Sequence, residues 1–183
     1  MHPISAQSPG VLTASSAAKI DLLAPVARFS LRARGDLAPF SQALGLSLPA
    51  KIGMRAKQGE VEVLCLGPDE WVILAATDQA PGLAAAMAAI YPAYPHSFVD
   101  ISGREITLAI TGSCATELLT LGMPRDPESI LPGEGRRIAF DGMTVVLWRD
   151  EAEAYRMDIW HSFAPHLLGL LETGCRELAA EPA

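Results

Sequence analysis

The stretch Ala27-Arg28-Phe29-Ser30-Leu31-Arg32-Ala33-Arg34-Gly35-Asp36 has a counterpart 77 residues later, Arg104-Glu105-Ile106-Thr107-Leu108-Ala109-Ile110-Thr111-Gly112-Ser113. Apolar and polar residues alternate in both, which is typical of a β-strand with one buried face. Each copy ends with a glycine followed by a polar residue, and this pattern is typical of the start of a helix. We therefore expect Asp36 and Ser113 to cap two equivalent helices that end at Gly45 and Gly122.

A second pair of similar segments extends this duplication. Val61-Glu62-Val63-Leu64 matches Val145-Val146-Leu147-Trp148 at an offset of 84, and the following helices match around Pro81 and Pro165. Seven additional residues around 126–135 account for the change of offset. Each half is therefore predicted to have the order β-α-β-β-β-α, with further strands near Ile20–Leu23 and at Phe98–Ile101.

The element order predicts an α+β fold. Strands in runs with helices between them favour mainly antiparallel sheets covered by helices. We expect residues 19–183 to form a single duplicated domain, with pseudo-repeats at about 19–95 and 96–178 packed about a pseudo-two-fold axis. Residues 1–18, rich in Ser, Ala, Gly and Pro, are predicted to be an N-terminal arm, extended or disordered. The alanine-rich segment 84–89 predicts a slender helix that approaches a sheet closely.

Composition excludes several classes of function. The 183 residues carry a net charge of −7 and have no segment rich in Lys and Arg, which argues against nucleic-acid binding. No apolar run approaches the roughly 20 residues that span a bilayer, and the first 25 residues do not resemble a secretory signal. Three cysteines, Cys65, Cys114 and Cys175, favour reduced thiols, so we expect a cytoplasmic protein.

No catalytic, cofactor or metal motif is present in the sequence. It lacks the dinucleotide, P-loop and zinc-peptidase patterns. His161 and His166 are five residues apart, which places them on different faces of a helix and disfavours a metal site. Asp69-Glu70 follows Gly67-Pro68 and predicts a hairpin turn rather than an acid/base pair. Cys114 is expected at a helix start as a packed thiol, with no histidine nearby in sequence to activate it.

Two further candidates concern ligand and partner binding. The most polar cluster, Asp100, Ser102 and Arg104, is a candidate ligand site. The alternative is ordinary hydrogen bonding in a turn and at a strand end. Trp160, His161 and Phe163, with the N-terminal arm, are the candidate partner interface. Alternation places Asp158 and Trp160 on the strand face that meets water or a partner, although Trp160 could instead tuck under the last helix.

Three segments carry a resemblance to a known family. These are Leu66-Gly67-Pro68-Asp69-Glu70-Trp71, Phe98-Val99-Asp100-Ile101-Ser102 and Asp158-Ile159-Trp160-His161-Ser162-Phe163-Ala164-Pro165. Together they resemble the gamma subunit of heterotetrameric sarcosine oxidase over about residues 12–178. That family is more distantly similar to the folate-binding domain of the glycine-cleavage aminomethyltransferase. The resemblance implies the same duplicated α+β fold.

The resemblance also implies a function. Such complexes oxidise sarcosine to glycine, yield formaldehyde or methylene-tetrahydrofolate, and reduce oxygen to hydrogen peroxide. FAD, FMN, NAD and the tetrahydrofolate site belong to the alpha and beta subunits, and zinc to the delta subunit. This chain would be a non-catalytic accessory subunit that binds its alpha, beta and delta partners. The sequence leaves open which N-methyl amine the complex oxidises.

One departure from the transferase pattern bears on the alternatives. The transferase has a Gly-Gly-x-x-Asp-Asp segment with a functional carboxylate, whereas this chain has Asp141-Gly142-Met143-Thr144-Val145-Val146-Leu147-Trp148. An alkyl group cannot replace a carboxylate that orients a pterin amine. The substitution argues against folate chemistry here. A folate-dependent one-carbon methyltransferase and a small-molecule binding module stay as the alternative functions.

Overall fold

Eleven strands and four α-helices make up the computed structural model, which describes residues 8–180. The strands are β1 (Gly10–Ala14), β2 (Lys19–Leu22), β3 (Ala27–Arg32), β4 (Arg55–Gln58), β5 (Val61–Gly67), β6 (Glu70–Ala75), β7 (Ser97–Asp100), β8 (Glu105–Thr111), β9 (Gly135–Phe140), β10 (Met143–Glu151) and β11 (Ala154–Trp160). The helices are α1 (Ala38–Leu44), α2 (Ala80–Ile90), α3 (Ala115–Thr120) and α4 (Ala164–Ala180). None of the helices in this range is long and apolar enough to cross a membrane.

The chain divides into two compact units. The inserted unit is Pro25–Gly103, and the flanking unit comprises the segments before and after it, described for residues 8–24 and 104–180. Each unit contains one antiparallel sheet with its helices, which confirms the predicted α+β class.

The inserted unit is built on a five-stranded sheet of order β4-β5-β6-β3-β7. Its central strand β6 is buried at every position, as expected for a strand hydrogen-bonded on both edges. One face of the sheet packs with α1 and α2 into a core that includes Phe29, Phe40, Trp71 and Met87. The ring of Phe98 on β7 stacks on Phe29 at 4.5 Å and extends this core to the sheet edge.

The flanking unit has a six-stranded sheet of order β1-β2-β8-β11-β10-β9. Its core includes Leu108, Leu147, Met157 and Leu171, all fully buried. The last helix packs one apolar side on this core: Leu167 and Leu171 of α4 are in the core, while Leu170 and Leu178, with Phe163 just before the helix, pack at its margin.

The duplication of β-α-β-β-β-α is confirmed by the elements and their pairing. In both sheets the strands of one repeat follow the same order, β4-β5-β6-β3 and β9-β10-β11-β8. The strand that precedes each repeat, however, pairs in the other sheet: β2 lies beside β8, and β7 lies beside β3. The two units therefore differ in their boundaries from the predicted repeats 19–95 and 96–178.

The predicted helix ends are partly confirmed. Gly45 ends α1 with a left-handed φ of 72°, as predicted. Asp36 is not the N-cap of α1, which is Leu37, although its carboxylate accepts a hydrogen bond of 2.9 Å from the Ala38 amide. The prediction for Ser113 is wrong, because Cys114 is the N-cap of α3 and no side chain caps it. Gly122 does follow α3, but for a different reason: a β-carbon there would lie 2.7 Å from the Phe140 ring.

Two other predictions are corrected. Within the expected N-terminal arm, Gly10–Ala14 forms a strand paired with Lys19–Leu22, because its apolar Leu12 packs against the flanking core. Residues 1–7 of the arm lie outside the described part of the chain. The alanine-rich helix α2 does not pack its alanines on the sheet: Met87 is its buried residue, and four alanines are exposed (Ala84, Ala85, Ala88 and Ala89).

Candidate functional site

The candidate partner residues lie at the end of β11 and the start of α4, in the flanking unit. The side chain of Trp160 is 40% exposed, and its ring stacks on Phe163 with centroids 5.9 Å apart. The guanidinium of Arg104 lies over the same tryptophan ring at 5.2 Å, a cation–π contact. Phe163 is half-buried against the core, so the ring on which Trp160 stacks is itself held in place by packing.

A neighbouring ion pair fixes the position of Arg104. Its guanidinium binds the Glu105 carboxylate at 2.8 Å, and that carboxylate side chain is only 4% exposed. The main-chain oxygen of Arg104 also accepts a hydrogen bond of 3.2 Å from the amide of His161. Arg104, Trp160, His161 and Phe163 therefore form one cluster, which we call the Trp160 cluster. It joins a residue of the predicted polar site to the predicted interface.

His161 lies in the turn before α4, not in the helix. The sequence prediction placed it on a helix face different from that of His166, but the helix begins only at Ala164. Its half-buried ring has an Nδ1 atom without a hydrogen-bond partner among residues 8–180. His166 is exposed, and its Nε2 lies 2.6 Å from a carboxylate oxygen of Asp141.

The predicted exposure of Asp158 is wrong. Alternation places it on the same strand face as Trp160, yet Asp158 is 1% exposed. Its carboxylate accepts hydrogen bonds from Thr107 Oγ1 at 2.6 Å and from Trp148 Nε1 at 2.7 Å. Alternation predicts which face a side chain occupies but not whether that face is covered, and the cross-strand donors could not be assigned before β8, β10 and β11 were known to be neighbours.

Asp100 and Ser102 form a turn at the end of β7. One Asp100 carboxylate oxygen accepts from the Ser102 hydroxyl at 2.6 Å and from the Ser102 amide at 2.8 Å. These two hydrogen bonds, the hydroxyl first, hold the pKa of Asp100 below its usual range. The Ser102 hydroxyl in turn accepts from the Arg28 amide at 2.9 Å. The geometry matches the alternative of turn hydrogen bonding, and Arg104 is instead engaged with Glu105 and Trp160.

The other charged residues singled out in the sequence are engaged in turns and ion pairs. Asp69 lies in the β5–β6 hairpin turn, as predicted, and binds Arg34 at 2.9 Å and Arg32 at 3.3 Å. Its hydrogen bond with Arg34, foremost, holds the pKa of Asp69 below the usual range. Glu70, the first residue of β6, binds Arg32 at 3.0 Å.

The cysteines form no disulfide among the described residues 8–180. Cys65, Cys114 and Cys175 are all free thiols, and burial raises the pKa of Cys175. Within residues 8–180 no group of three or more His, Cys, Asp or Glu side chains has the geometry to hold a metal ion.

The segment Val145–Leu147, which the sequence resemblance sets against the acidic motif of the transferase, is part of the flanking sheet. Val145 and Leu147 on β10 are buried in the core, and Val146 is 7% exposed. Strand β10 pairs with β9 on one edge and β11 on the other, so its main chain is occupied. These apolar side chains do not fit a folate amine, which needs a hydrogen-bonding or charged partner.

Comparison with solved structures first defines a class of fold. The chain is similar to the glycine cleavage system aminomethyltransferase T from Bartonella henselae, with a TM-score of 0.68 and 15% identity. The match covers 86% of this chain but 46% of the transferase, so the chain spans about half that protein's length. At this identity the likeness establishes the fold: an aminomethyltransferase-like duplicated α+β domain.

A nearer match is a chain of one particular complex. The heterotetrameric sarcosine oxidase from Corynebacterium sp. U-96, solved with pyrrole 2-carboxylate, matches with a TM-score of 0.81 and 25% identity. The match covers 94% of this chain and 91% of that one. No family model matches the sequence, and neither does any curated protein. The chain therefore resembles a sarcosine oxidase subunit over nearly its whole length, as the sequence motifs predicted.

Proposed function

We propose that this chain is the gamma subunit of a heterotetrameric sarcosine oxidase, an accessory subunit without an active site of its own. The observation that carries the proposal is the end-to-end correspondence with a chain of that complex, at 94% and 91% coverage. A fold shared over part of a chain is compatible with many functions. A match over more than nine tenths of both chains supports the same place in an assembly.

The proposed complex oxidises sarcosine to glycine in the cytoplasm. The methyl carbon leaves as formaldehyde or is captured as methylene-tetrahydrofolate, and oxygen is reduced to hydrogen peroxide. In this proposal the alpha and beta subunits carry FAD, FMN, NAD and the folate site, and the delta subunit carries zinc. This chain contributes contact surface to them.

The state of three aspartates singled out in the sequence supports the accessory role. A general base needs a carboxylate that is free to accept a proton from a substrate. The carboxylate of Asp158 is buried under two donated hydrogen bonds, that of Asp100 is held by Ser102, and that of Asp69 is held by two arginines.

Co-expression tests the proposal. The chain is produced with an affinity tag together with the proteins encoded beside its gene, and the eluate is analysed for subunits, flavin absorbance and sarcosine-dependent peroxide. We expect three further polypeptides in equal amounts, with both flavin and activity. A tagged chain that elutes alone and monomeric, while its neighbours assemble an active oxidase without it, would contradict the proposal.

The alternative of a folate-dependent methyltransferase has a separate test. The shared fold favours it, whereas the buried Val145, Val146 and Leu147 oppose it. Isothermal titration of the isolated chain with tetrahydrofolate should give no saturable heat. Binding at a single site in the micromolar range would favour the methyltransferase.

A further inference from the structure

The two sheets differ by one strand at equivalent edges. In the flanking sheet, β2 lies beside β8, and β1 covers the outer edge of β2. In the inserted sheet, β7 occupies the equivalent place beside β3, but among residues 8–180 no strand covers its outer edge. The outer edge of β7 is therefore uncovered, whereas the equivalent edge of the flanking sheet, that of β2, is covered by β1.

The outer edge of β7 offers main-chain groups to solvent. The amide of Ile101 donates to the Arg28 carbonyl at 2.8 Å, which fixes the hydrogen-bonding phase of β7 against β3. Residues of an antiparallel strand alternate in direction, so the N–H and C=O groups of Phe98 and Asp100 point away from β3. The neighbouring Val99 is 49% exposed. An exposed edge of this kind is a template for a further strand.

A groove of about 480 Å³ runs between this edge and helix α2. It is lined by Ala84, Met87, Ala88, Tyr91, His96, Ser97 and Phe98. Tyr91 is 54% exposed although its ring is apolar. Alanine leaves space where a longer side chain would cover the sheet edge, so the groove exists because α2 carries alanines on this side.

The flanking unit shows what fills the equivalent space. There β1 lies alongside α4, and its Leu12 packs against the core. At the offset of 84, Leu168 and Leu171 of α4 are equivalent to Ala84 and Met87 of α2. Leu168 is 8% exposed in the presence of β1, whereas Ala84 is exposed. The occupied edge thus carries a strand whose aliphatic Leu12 packs against the core to which α4 also contributes.

The geometry points to β7 and α2 as the docking site for an extended segment of a partner subunit. The segment pairs antiparallel with β7 through the main chain of Phe98 and Asp100. It inserts one aliphatic side chain into the groove beside Ala84 and Ala88, as Leu12 does in the flanking unit. Strand addition of this kind takes affinity from the main chain and specificity from the side-chain pocket.

A second copy of this chain fits the site poorly. Its β1 is already paired with β2 and would have to leave its own sheet. Its β7 could pair with β7, but on the groove side it carries Phe98, already stacked on Phe29, and the charged Asp100. The exposed aliphatic residue of β7, Val99, lies on the strand face opposite to Phe98 and Asp100, and Leu12 of β1 packs against its own core. The inference therefore rests on the proposed function, in which the partners are the other oxidase subunits.

Introducing a positive charge at different positions of helix α2 tests the site against a matched control. Ala84→Lys and Ala88→Lys place a cation in the groove, whereas Ala85→Lys and Ala89→Lys place it on exposed positions of α2 that do not line the groove. Affinity for the co-expressed subunits should fall about tenfold or more for the first pair and less than about twofold for the second, since a buried charge without a partner is costly. Equal losses in both pairs would overturn the assignment.

Hydrogen exchange supplies a readout that does not depend on substitutions. In the assembled complex, the amides of Phe98 and Asp100 should exchange at least about tenfold more slowly than in the isolated full chain. A complex that assembles while both amides exchange at the isolated rate overturns this inference and leaves the proposed function intact. A chain that recovers no subunits overturns both. Self-association of the isolated chain that Ala84→Lys abolishes would replace the partner by a second copy.

Discussion

The carboxylate of Asp158 receives hydrogen bonds from Thr107 and Trp148 on the two strands that neighbour β11 in its sheet. All three side chains lie inside the flanking sheet, and both Asp158 and Trp148 are buried. When a buried donor loses its acceptor, the free-energy cost of removing that donor from water is no longer offset by a hydrogen bond. This residue therefore contributes to stability through the partners that it satisfies.

Replacing Asp158 with alanine should be strongly destabilising. The Asp158→Ala variant deprives the Trp148 indole N–H and the Thr107 hydroxyl of this acceptor, at about 1–3 kcal/mol each. We expect the free energy of unfolding in urea to fall by about 3 kcal/mol. Glu117→Ala is the control, because Glu117 is exposed on α3 and should change stability by less than about 0.5 kcal/mol. Equal stability of the two variants would contradict the role of the buried network.

Replacing Ser102 tests the turn through the pKa of Asp100, which Ser102 lowers. In Ser102→Ala, Asp100 loses its hydroxyl donor but keeps the amide donor, so its pKa should rise toward the ordinary value of 3.8. Because the folded pKa of Asp100 lies below that value, its stabilisation is present above about pH 4 and is lost as the pH falls through the folded pKa.

The pKa of Asp100 is measured by NMR titration, and stability is measured between pH 2 and pH 6. The stability difference between wild type and Ser102→Ala should shrink as the pH decreases through the folded pKa, since the protonated carboxyl is a poorer acceptor. Ser113→Ala serves as the control, because Ser113 is an exposed serine that caps no helix. An unchanged Asp100 pKa in Ser102→Ala would refute the interpretation.

At the scale of elements, two glycines at equivalent positions of the repeat have different structural roles. Gly45 ends α1 in the left-handed region, and a β-carbon there would meet nothing within 4 Å. Gly122 follows α3, and a β-carbon there would meet three Phe140 ring atoms at 2.7–2.8 Å. The first glycine is required by its backbone conformation and the second by space.

Asparagine distinguishes the two glycines. Asn tolerates the left-handed conformation, so Gly45→Asn should cost less than Gly45→Ala, which should cost about 1–2 kcal/mol. At position 122 both substitutions should cost about 1–3 kcal/mol, because any side chain crowds Phe140. Thermal unfolding measures all four variants. Gly169→Ala, mid-helix in α4 with nothing near its β-carbon, should instead stabilise by about 0.5–1 kcal/mol. Rescue by Asn at position 122 would contradict this account.

Local patterns predicted most of the elements but not their partners. Alternation, turn residues and the repeat placed each half as β-α-β-β-β-α, and the two additional strands appear at β2 and β7. The strand β1 was missed because Gly10–Ala14 is short and its composition is typical of a chain terminus. Only Leu12 of this strand packs against the core. The exchange of β2 and β7 was missed because pairing between distant segments leaves no local signal.

At the scale of the whole molecule, Trp160 is predicted to anchor a partner. Trp160 is 40% exposed, and its ring contacts both the Arg104 guanidinium and the Phe163 ring, so its position is fixed before any partner arrives. Trp160→Ala should change the stability of the isolated chain by less than about 1 kcal/mol and weaken association with the other subunits about 30-fold, as expected for a preorganised aromatic anchor.

Size-exclusion chromatography of co-expressed subunits and unfolding of the isolated variant measure the two effects. Leu131→Ala is a matched control, because Leu131 is 59% exposed and lies outside the Trp160 cluster. An undiminished complex together with a large loss of stability would assign Trp160 to the core instead of the interface.

The candidate site was predictable only in part, because local patterns indicate the face of a residue whereas its contacts depend on strands distant in sequence. Alternation along β11 predicted the face on which Trp160 lies, and on that face Trp160 is exposed whereas Asp158 is buried. The position of Arg104 over its ring depends on β8 and β11 being paired at Glu105 and Trp160, a long-range register that composition does not encode. The burial of Asp158 depends in the same way on strands distant in sequence.

The exchanged strands have a consequence for the order in which the chain acquires its structure during synthesis. The ribosome releases β2 early, but its sheet partner β8 begins about eighty residues later, after the whole of Pro25–Gly103. The contiguous inserted unit can form as it emerges, because its partners lie within one stretch. The first hairpin must wait in solution for β8. Its late capture closes a long loop, and this should be the slow, entropy-limited step of maturation.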